Sequence, residues 1–258
     1  MKTAFFDSGI GGLSVLHHAM KILPEEEFVF FADEDNVPYG TKSREEVLKF
    51  VDSAFEFLTA QKVDAIVVAC NTATSVAITE MRKKYSLPII GMEPALKRAV
   101  DLFPGRKTLV TATPITINGE KIRNLIEKLD AKDFVELRAL PELVNFAEKE
   151  EFNSPAVKDY LTKNFAGYDF KDFSSIVLGC THFNYFKDVI REILPENVKI
   201  LDGNEGTLNE LMRRTNLKPE KSDKIPPVEY FYSGKKVSGE ESERLDRYLK
   251  RLEKMYSI

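Results

Sequence analysis

Ile66-Val67-Val68-Ala69-Cys70-Asn71-Thr72 and Ile176-Val177-Leu178-Gly179-Cys180-Thr181-His182 decide the fold of this chain. Each is an apolar run that ends in a small residue. Each continues with a cysteine and then a hydroxyl or amide residue that opens a helical pattern. The first helical pattern carries Ile78, Met81 and Tyr85, and the second carries Phe186, Val189, Ile190 and Ile193. Both then give way to another apolar run, at residues 89–91 and 200–202. Each unit is also preceded by a strand pattern ending in polar groups, Asp7-Ser8 in the first and Thr111 with Thr113 in the second. The chain therefore reads as a duplication, with the crossover near residues 91–95.

Outward from this pair, β-branched and aromatic runs alternate with longer amphipathic stretches. Strands are expected at residues 3–6, 28–32, 65–69, 88–91, 108–112, 135–139, 176–179, 198–201 and 229–232. Several are apolar on both faces, as strands buried between two helical layers should be. Leu13, Leu16, Met20 and Leu23 share one helical face, and Ser43 with Glu46 predicts a capping box ahead of a helix burying Val47, Val51, Phe55 and Leu58. Such alternation means α/β with mainly parallel sheets. The fold expected is two similar lobes, each a mainly parallel sheet flanked by helices, related by a pseudo-twofold axis. Residues 1–92 with 206–258 form the first lobe and 93–205 the second. After a polar, loop-like stretch at 216–223, a strand and a last helix, with a capping box at Ser238 and Glu241, are expected to pack back onto the first lobe.

Composition narrows the function classes. Against 37 Lys and Arg stand 41 Asp and Glu, so there is no basic excess to draw nucleic acid or an anionic membrane. No apolar stretch approaches the roughly 18–20 residues of a membrane span. No secretory signal pattern precedes the first strand. Two cysteines among 258 residues do not make a disulfide-stapled fold, so a reducing cytoplasm is the expectation. The three histidines, His17, His18 and His182, form no Cys/His cluster of zinc spacing.

The cysteines carry the chemistry. In an open α/β sheet the ligand crevice lies outside the carboxyl ends of the strands. A thiol there, at a helix N-terminus, is expected to have a lowered pKa. A free cysteine is most often a small buried hydrophobe; two at equivalent positions of a repeat favour chemistry. Asp7-Ser8-Gly9-Ile10-Gly11-Gly12 is a turn whose free N–H groups suit an anion, although it is neither the dinucleotide fingerprint nor a P-loop. Asp33 and Pro38-Tyr39-Gly40 place a rigid turn and a phenol at the same sheet end. His182, two residues beyond Cys180, is placed to hold a thiolate or supply a proton. His17 and His18 read as surface or packing residues, and Glu148-Lys149-Glu150-Glu151 reads as a solvated helix end.

Together, Asp7-Ser8-Gly9-Ile10-Gly11-Gly12, Pro38-Tyr39-Gly40, Ala69-Cys70-Asn71-Thr72-Ala73 and Gly179-Cys180-Thr181-His182-Phe183 resemble, in order and spacing, the motifs of the glutamate racemases. These belong to the cofactor-independent aspartate/glutamate racemase superfamily, and the resemblance runs over the whole chain. It implies two lobes with the active site in the cleft between them. It also implies L/D-glutamate interconversion without cofactor or metal, D-glutamate for bacterial peptidoglycan synthesis, and a homodimer. Carried onto matching positions, Cys70 and Cys180 are the two acid/base residues, and Asp7, His182 and Glu148 assist them. Asp7, Ser8, Pro38, Tyr39, Gly40, Asn71, Thr72, Thr181 and His182 bind substrate. The chain departs from the family pattern at Asn184, where Pro is usual, at Ala112, where Gly is frequent, and at Asp202-Gly203-Asn204, which replaces an Asp-Ser pair. Three rivals stay open: a racemase of aspartate or another amino acid, a thiol hydrolase or oxidoreductase using Cys180 with His182, and a two-lobe binding protein without turnover.

Overall fold

A computed structural model describes residues 1–92, 95–222 and 224–258. Residues 93 and 94 of the expected crossover, and residue 223 of the expected loop, lie outside the described residues. The first lobe runs β1 (Lys2–Asp7), α1 (Leu13–Ile22), β2 (Glu27–Ala32), α2 (Arg44–Ala60), β3 (Ala65–Val68), α3 (Asn71–Lys84) and β4 (Ile89–Gly91). The second follows with α4 (Ala95–Leu102), β5 (Lys107–Ala112), α5 (Pro114–Ile117), α6 (Glu120–Lys128) and β6 (Val135–Ala139). It is completed by α7 (Glu142–Glu148), α8 (Pro155–Phe165), β7 (Phe173–Leu178), α9 (Lys187–Ile193) and β8 (Lys199–Asp202). The chain returns through α10 (Asn204–Thr215), β9 (Val228–Tyr232), β10 (Lys235–Lys236) and α11 (Glu240–Met255). All nine expected strands are present.

Duplication is visible in the sheets. The strand order is β10-β9-β2-β1-β3-β4 in one and β6-β5-β7-β8 in the other. The shared part, β2-β1-β3-β4 against β6-β5-β7-β8, is parallel throughout. In this order the chain reverses its winding direction between β1 and β3, and again between β5 and β7. At such a switch point the helices diverge to opposite faces and leave a crevice beyond the carboxyl ends. Cys70 follows β3 and Cys180 follows β7, so each cysteine stands at its sheet's switch point.

The tail only partly follows expectation. β9 joins the first sheet, parallel to β2. β10 was not anticipated. It is two residues long, antiparallel to β9, and reached through Ser233 and Gly234, both at positive φ (44° and 82°), which is the geometry of a tight hairpin. α11 does not stay with the first lobe. Its apolar residues Leu245, Tyr248 and Leu252 belong to one core with Phe5, Leu13 and Leu16 of the first lobe and Leu143, Phe183 and Phe186 of the second. The capping box predicted at Ser43 and Glu46 forms, with Glu46 N donating to Ser43 Oγ at 3.2 Å and Ser43 N donating to Glu46 Oε2 at 2.8 Å. The one predicted at Ser238 does not. Gly239 takes the cap position at φ +58°, with no side-chain bond, and this moves Ser238 one residue too far upstream to cap the helix.

Candidate active site

Between the two sets of strand ends lies a small cavity. The first lobe lines it with Asp7, Ser8, Pro38, Tyr39, Gly40, Cys70, Asn71 and Thr72, and the second with Thr113, Val144, Cys180, Thr181 and His182. The structure thus brings all the proposed binding residues and both cysteines to one place. Of the candidate catalytic and binding residues, Glu148 alone is outside that lining.

On the first wall, β1 delivers Asp7 and β3 delivers Cys70. Asp7 is fully buried. Its Oδ1 accepts from Ser8 Oγ and from Gly9 N, both at 3.2 Å, and its Oδ2 accepts from Thr181 Oγ1 at 2.9 Å across the cleft. Burial pushes the Asp7 carboxyl up, against the His182 charge and these hydrogen bonds. The Cys70 thiol reaches Ser8 Oγ at 3.6 Å, and the N–H of Ala73 donates to its sulfur at 3.3 Å. That bond is the helix-terminal interaction expected from sequence, yet the outcome is opposite. Burial and the Asp7 charge push the Cys70 thiol well up, outweighing the donors at the helix start. In this state Cys70 is held as a thiol.

On the second wall, Cys180 opens a tight 3₁₀ turn (Thr181–Phe186) rather than an α-helix. Its Sγ lies 3.9 Å from His182 Nδ1, and His182 Nε2 donates to Glu148 Oε1 at 2.7 Å. Burial works against a charged imidazole, but the hydrogen bonds to Cys180 and Glu148 and the Glu148 charge win, so the His182 pKa is raised well above the usual value. Glu148 ends α7 at the edge of the cluster that looked solvated. Its Oε1 also accepts from Ile10 N at 3.1 Å, in the Gly-rich turn of the first lobe. The anion expected at that turn is therefore met, at Ile10, by the protein's own carboxylate.

Hydroxyls bridge the walls. Thr72 Oγ1 lies 3.1 Å from Thr113 Oγ1, which lies 3.1 Å from Thr116 Oγ1. Thr116 lines an adjoining, mostly apolar cavity rather than the one between the thiols. Tyr39 OH donates to Asp33 Oδ2 at 2.6 Å, so the phenol that lines the cavity is anchored from behind. Asn71 Oδ1 is buried with no partner among the described residues. Val144 was not singled out from the sequence, and Thr113 was named there as a polar strand end whose contact with substrate stayed open. Thr113 was within reach, because β5 occupies in its sheet the place of β1, and the residues after β1 are Asp7 and Ser8.

Of the departures, Asn184 Nδ2 donates to Thr181 O at 3.1 Å and to Ser14 Oγ at 3.4 Å, a tie from the turn to α1 that Pro could not make. Ala112 ends β5 inside the core. Asp202 pairs with Lys187 at 2.8 Å, where the ammonium overcomes burial and holds the carboxyl below its usual range. His17 pairs with Glu253 at 2.9 Å and packs, like His18, on Tyr256, which fits the packing role expected of both. Among the described residues no cluster of three or more His, Cys, Asp or Glu is arranged to hold a metal ion, and no helix is long and apolar enough to cross a membrane.

Comparison with known proteins meets this geometry. The family model for Asp/Glu/hydantoin racemases matches residues 14–211. The chain belongs to this racemase family. A glutamate racemase of Campylobacter concisus is 56% identical over 261 residues, with 100% of both chains covered. Among solved structures, a glutamate racemase isoform of Bacillus anthracis superposes with a TM-score of 0.82 at 28% identity, covering 96% of this chain and 93% of its own. One from Francisella tularensis, in complex with D-glutamate, has a TM-score of 0.80 at 28% identity, covering 96% and 92%. In this racemase the two-lobe fold implied by the sequence motifs is present.

Proposed function

We propose that this chain interconverts L- and D-glutamate by a two-base mechanism, in which Cys70 and Cys180 act from opposite walls. The supporting observation is the placement of one cysteine at each sheet's switch point, both lining one cavity. Racemisation removes a proton from Cα on one face and returns one on the other. Two groups on facing walls do this without either swinging around the substrate. One must be thiolate while the other is thiol. Cys70 is held as the thiol, and the His182 imidazolium lies 3.9 Å from Cys180, where it serves as counter-ion to a thiolate. The resting pair is thus asymmetric, with Cys180 as base. By resemblance that base meets L-glutamate, and Cys70 meets D-glutamate.

The Cα proton is weakly acidic, so the site must stabilise the carbanion-like state by fixed dipoles in a dry cleft. Ser8, Thr72 and Thr181 supply hydroxyls, and backbone N–H groups supply further donors to the carboxylate. Loss of one such donor costs about 3 kcal/mol. Asn71 Oδ1, buried and unpartnered, suits the ammonium group. Asp7 acts on Cys70 through Ser8, and Glu148 acts on Cys180 through His182. The lobes, 1–92 with 206–258 and 93–205, open to admit substrate and close over it. The product feeds peptidoglycan synthesis, and with it cell shape, from the cytoplasm. The enzyme works as a homodimer, without cofactor, and sedimentation of the purified protein checks the assembly.

Reduced, purified protein given L-glutamate without added cofactor, followed by chiral separation, should accumulate D-glutamate to equal amounts of the two forms. Turnover of aspartate in preference to glutamate moves the substrate assignment. Silence with every amino acid tested favours a binding protein.

A further inference from the structure

Behind Glu148 a charged group is unused by the mechanism above. Arg244 of α11 donates through Nη2 to Glu148 Oε2 at 3.1 Å, to the Glu148 carbonyl at 3.0 Å and to Tyr248 OH at 3.1 Å. Through Nη1 it donates to Glu34 Oε2 at 3.2 Å, in the first-lobe turn after β2. Tyr248 OH in turn donates to the Ala147 carbonyl at 2.9 Å, within the same α7 turn. One guanidinium therefore joins both lobes to the last helix and ends on the carboxylate that grips His182. The continuous path is Glu34, Arg244, Glu148, His182, Cys180.

We propose that Arg244 is a positioning residue for the Cys180 half of the reaction, holding Glu148 against His182 from outside the cavity. The proposal rests on the functional reading above for its kinetic consequence but not for its geometry. Glu148 is half-buried and lies near a second carboxylate, Glu34. Two carboxylates sharing a site resist joint ionisation unless a cation lies between them. Glu34 already feels this: burial and the Glu148 charge push its carboxyl up to about 7, against Arg244 and His182. The charged and titratable groups facing the pair are Arg244, Tyr248 and Glu241 from α11, His182 from the 3₁₀ turn, and Tyr232 from β9. The cations among these are Arg244 and the His182 imidazolium, and of the two only Arg244 hydrogen-bonds both carboxylates. Without Arg244, Glu34 takes up its proton at higher pH, and Glu148 loses the donor that holds it against His182. A guanidinium matters here because its fork meets two carboxylates and a carbonyl at once, which an ammonium does less fully.

Arg244→Met keeps the length of the side chain and removes its charge. It should lower kcat about tenfold or more with KM changed less than about threefold, and move the acid limb of kcat/KM to higher pH. Arg244→Lys should restore most of kcat and the limb. His182 ring ¹⁵N signals, assigned among three histidines with His182→Asn, read the same chain without turnover. Their titration should fall to lower pH in Arg244→Met, because Glu148 contacts the ring directly while Arg244 reaches it only through Glu148. Where Arg244→Met does not fold, Arg244→Gln provides the neutral variant with an amide donor. A folded neutral variant with the wild-type acid limb and an unmoved His182 titration overturns the proposal, leaving Arg244 a purely structural tie. A wild-type protein that turns over no amino acid overturns the functional reading instead, and the His182 titration still decides on Arg244.

Discussion

Gly9 has no room for a side chain. A β-carbon there would lie 2.1 Å from Glu148 Oε1 and 3.1 Å from His182 Nε2. Gly11 is as tight, with His182 Nδ1 at 2.4 Å and Thr181 Oγ1 at 2.5 Å. The Gly-rich turn therefore lets the first lobe lie directly against the His182–Glu148 pair of the second. Gly9→Ala should displace Glu148 and lower kcat by about a hundredfold, as small misplacements of reacting groups do, while the protein stays folded by circular dichroism; unchanged kinetics would mean that the contact carries no catalytic weight. The His182–Glu148 pair also predicts a pH dependence of stability. The folded chain raises the His182 pKa, so the stability it contributes is complete below about pH 6.5 and is lost as pH rises through the higher folded value. His182→Asn should flatten that decline in urea melts from pH 6 to 9, and parallel curves for the two proteins would refute it. At this scale the sequence was legible where residues act as neighbours in the chain, as Cys180 and His182 do. Glu148, which meets His182 across 34 residues, was reached by family resemblance and not by its local pattern, and Arg244, which meets Glu148 across 96, was not reached at all. Nor did the sequence reveal the Cys70 thiol's direction of shift, because burial and Asp7 act through space and outweigh a helix end that is readable locally.

Strands and helices were legible because their signals are local and repeated. Apolar runs between turn residues located nine strands, and the Ser43–Glu46 spacing located a cap that the structure forms. Ser43→Ala should cost about 1 kcal/mol, read as a lower melting temperature, with kcat unchanged. A fall in kcat on the folded fraction would show that α2 communicates with the site. The failures at this scale are at the tail. Ser238 has the chemistry of a cap and sits one residue too early, since Gly239 adopts the positive φ that turns the chain into α11. The position of α11 was equally hidden. Its apolar stripe shows that one face is buried, but not that the face touches two lobes at once. Tyr248 and Arg244 bond α7, and Arg251 donates to the Tyr185 carbonyl at 2.7 Å. Arg251→Ala is predicted to leave first-lobe amide protection in place and loosen the 3₁₀ turn that carries Cys180, seen as faster hydrogen exchange there.

For the whole molecule, duplication was the most informative reading. Two sheets with strand orders of the same form set two equivalent switch points facing one another, with one cysteine at each. The lobes are joined by contacts across the cavity itself, Asp7 to Thr181, Thr72 to Thr113 and Ile10 to Glu148. Saturating glutamate should therefore slow amide exchange in the Gly9–Gly12 turn and in the Thr181–Phe186 turn together; protection of one alone would argue against closure of the two walls as a unit.

Racemisation of L-glutamate in D₂O at low conversion, with the two enantiomers separated and each examined for protium at Cα, tests the two-thiol account most directly. The D-glutamate formed should carry deuterium from the Cys70 side, while the recovered L-glutamate keeps its protium. Protium retained in the product, or deuterium in recovered substrate from the first turnovers, would mean that one group serves both faces and would contradict the account.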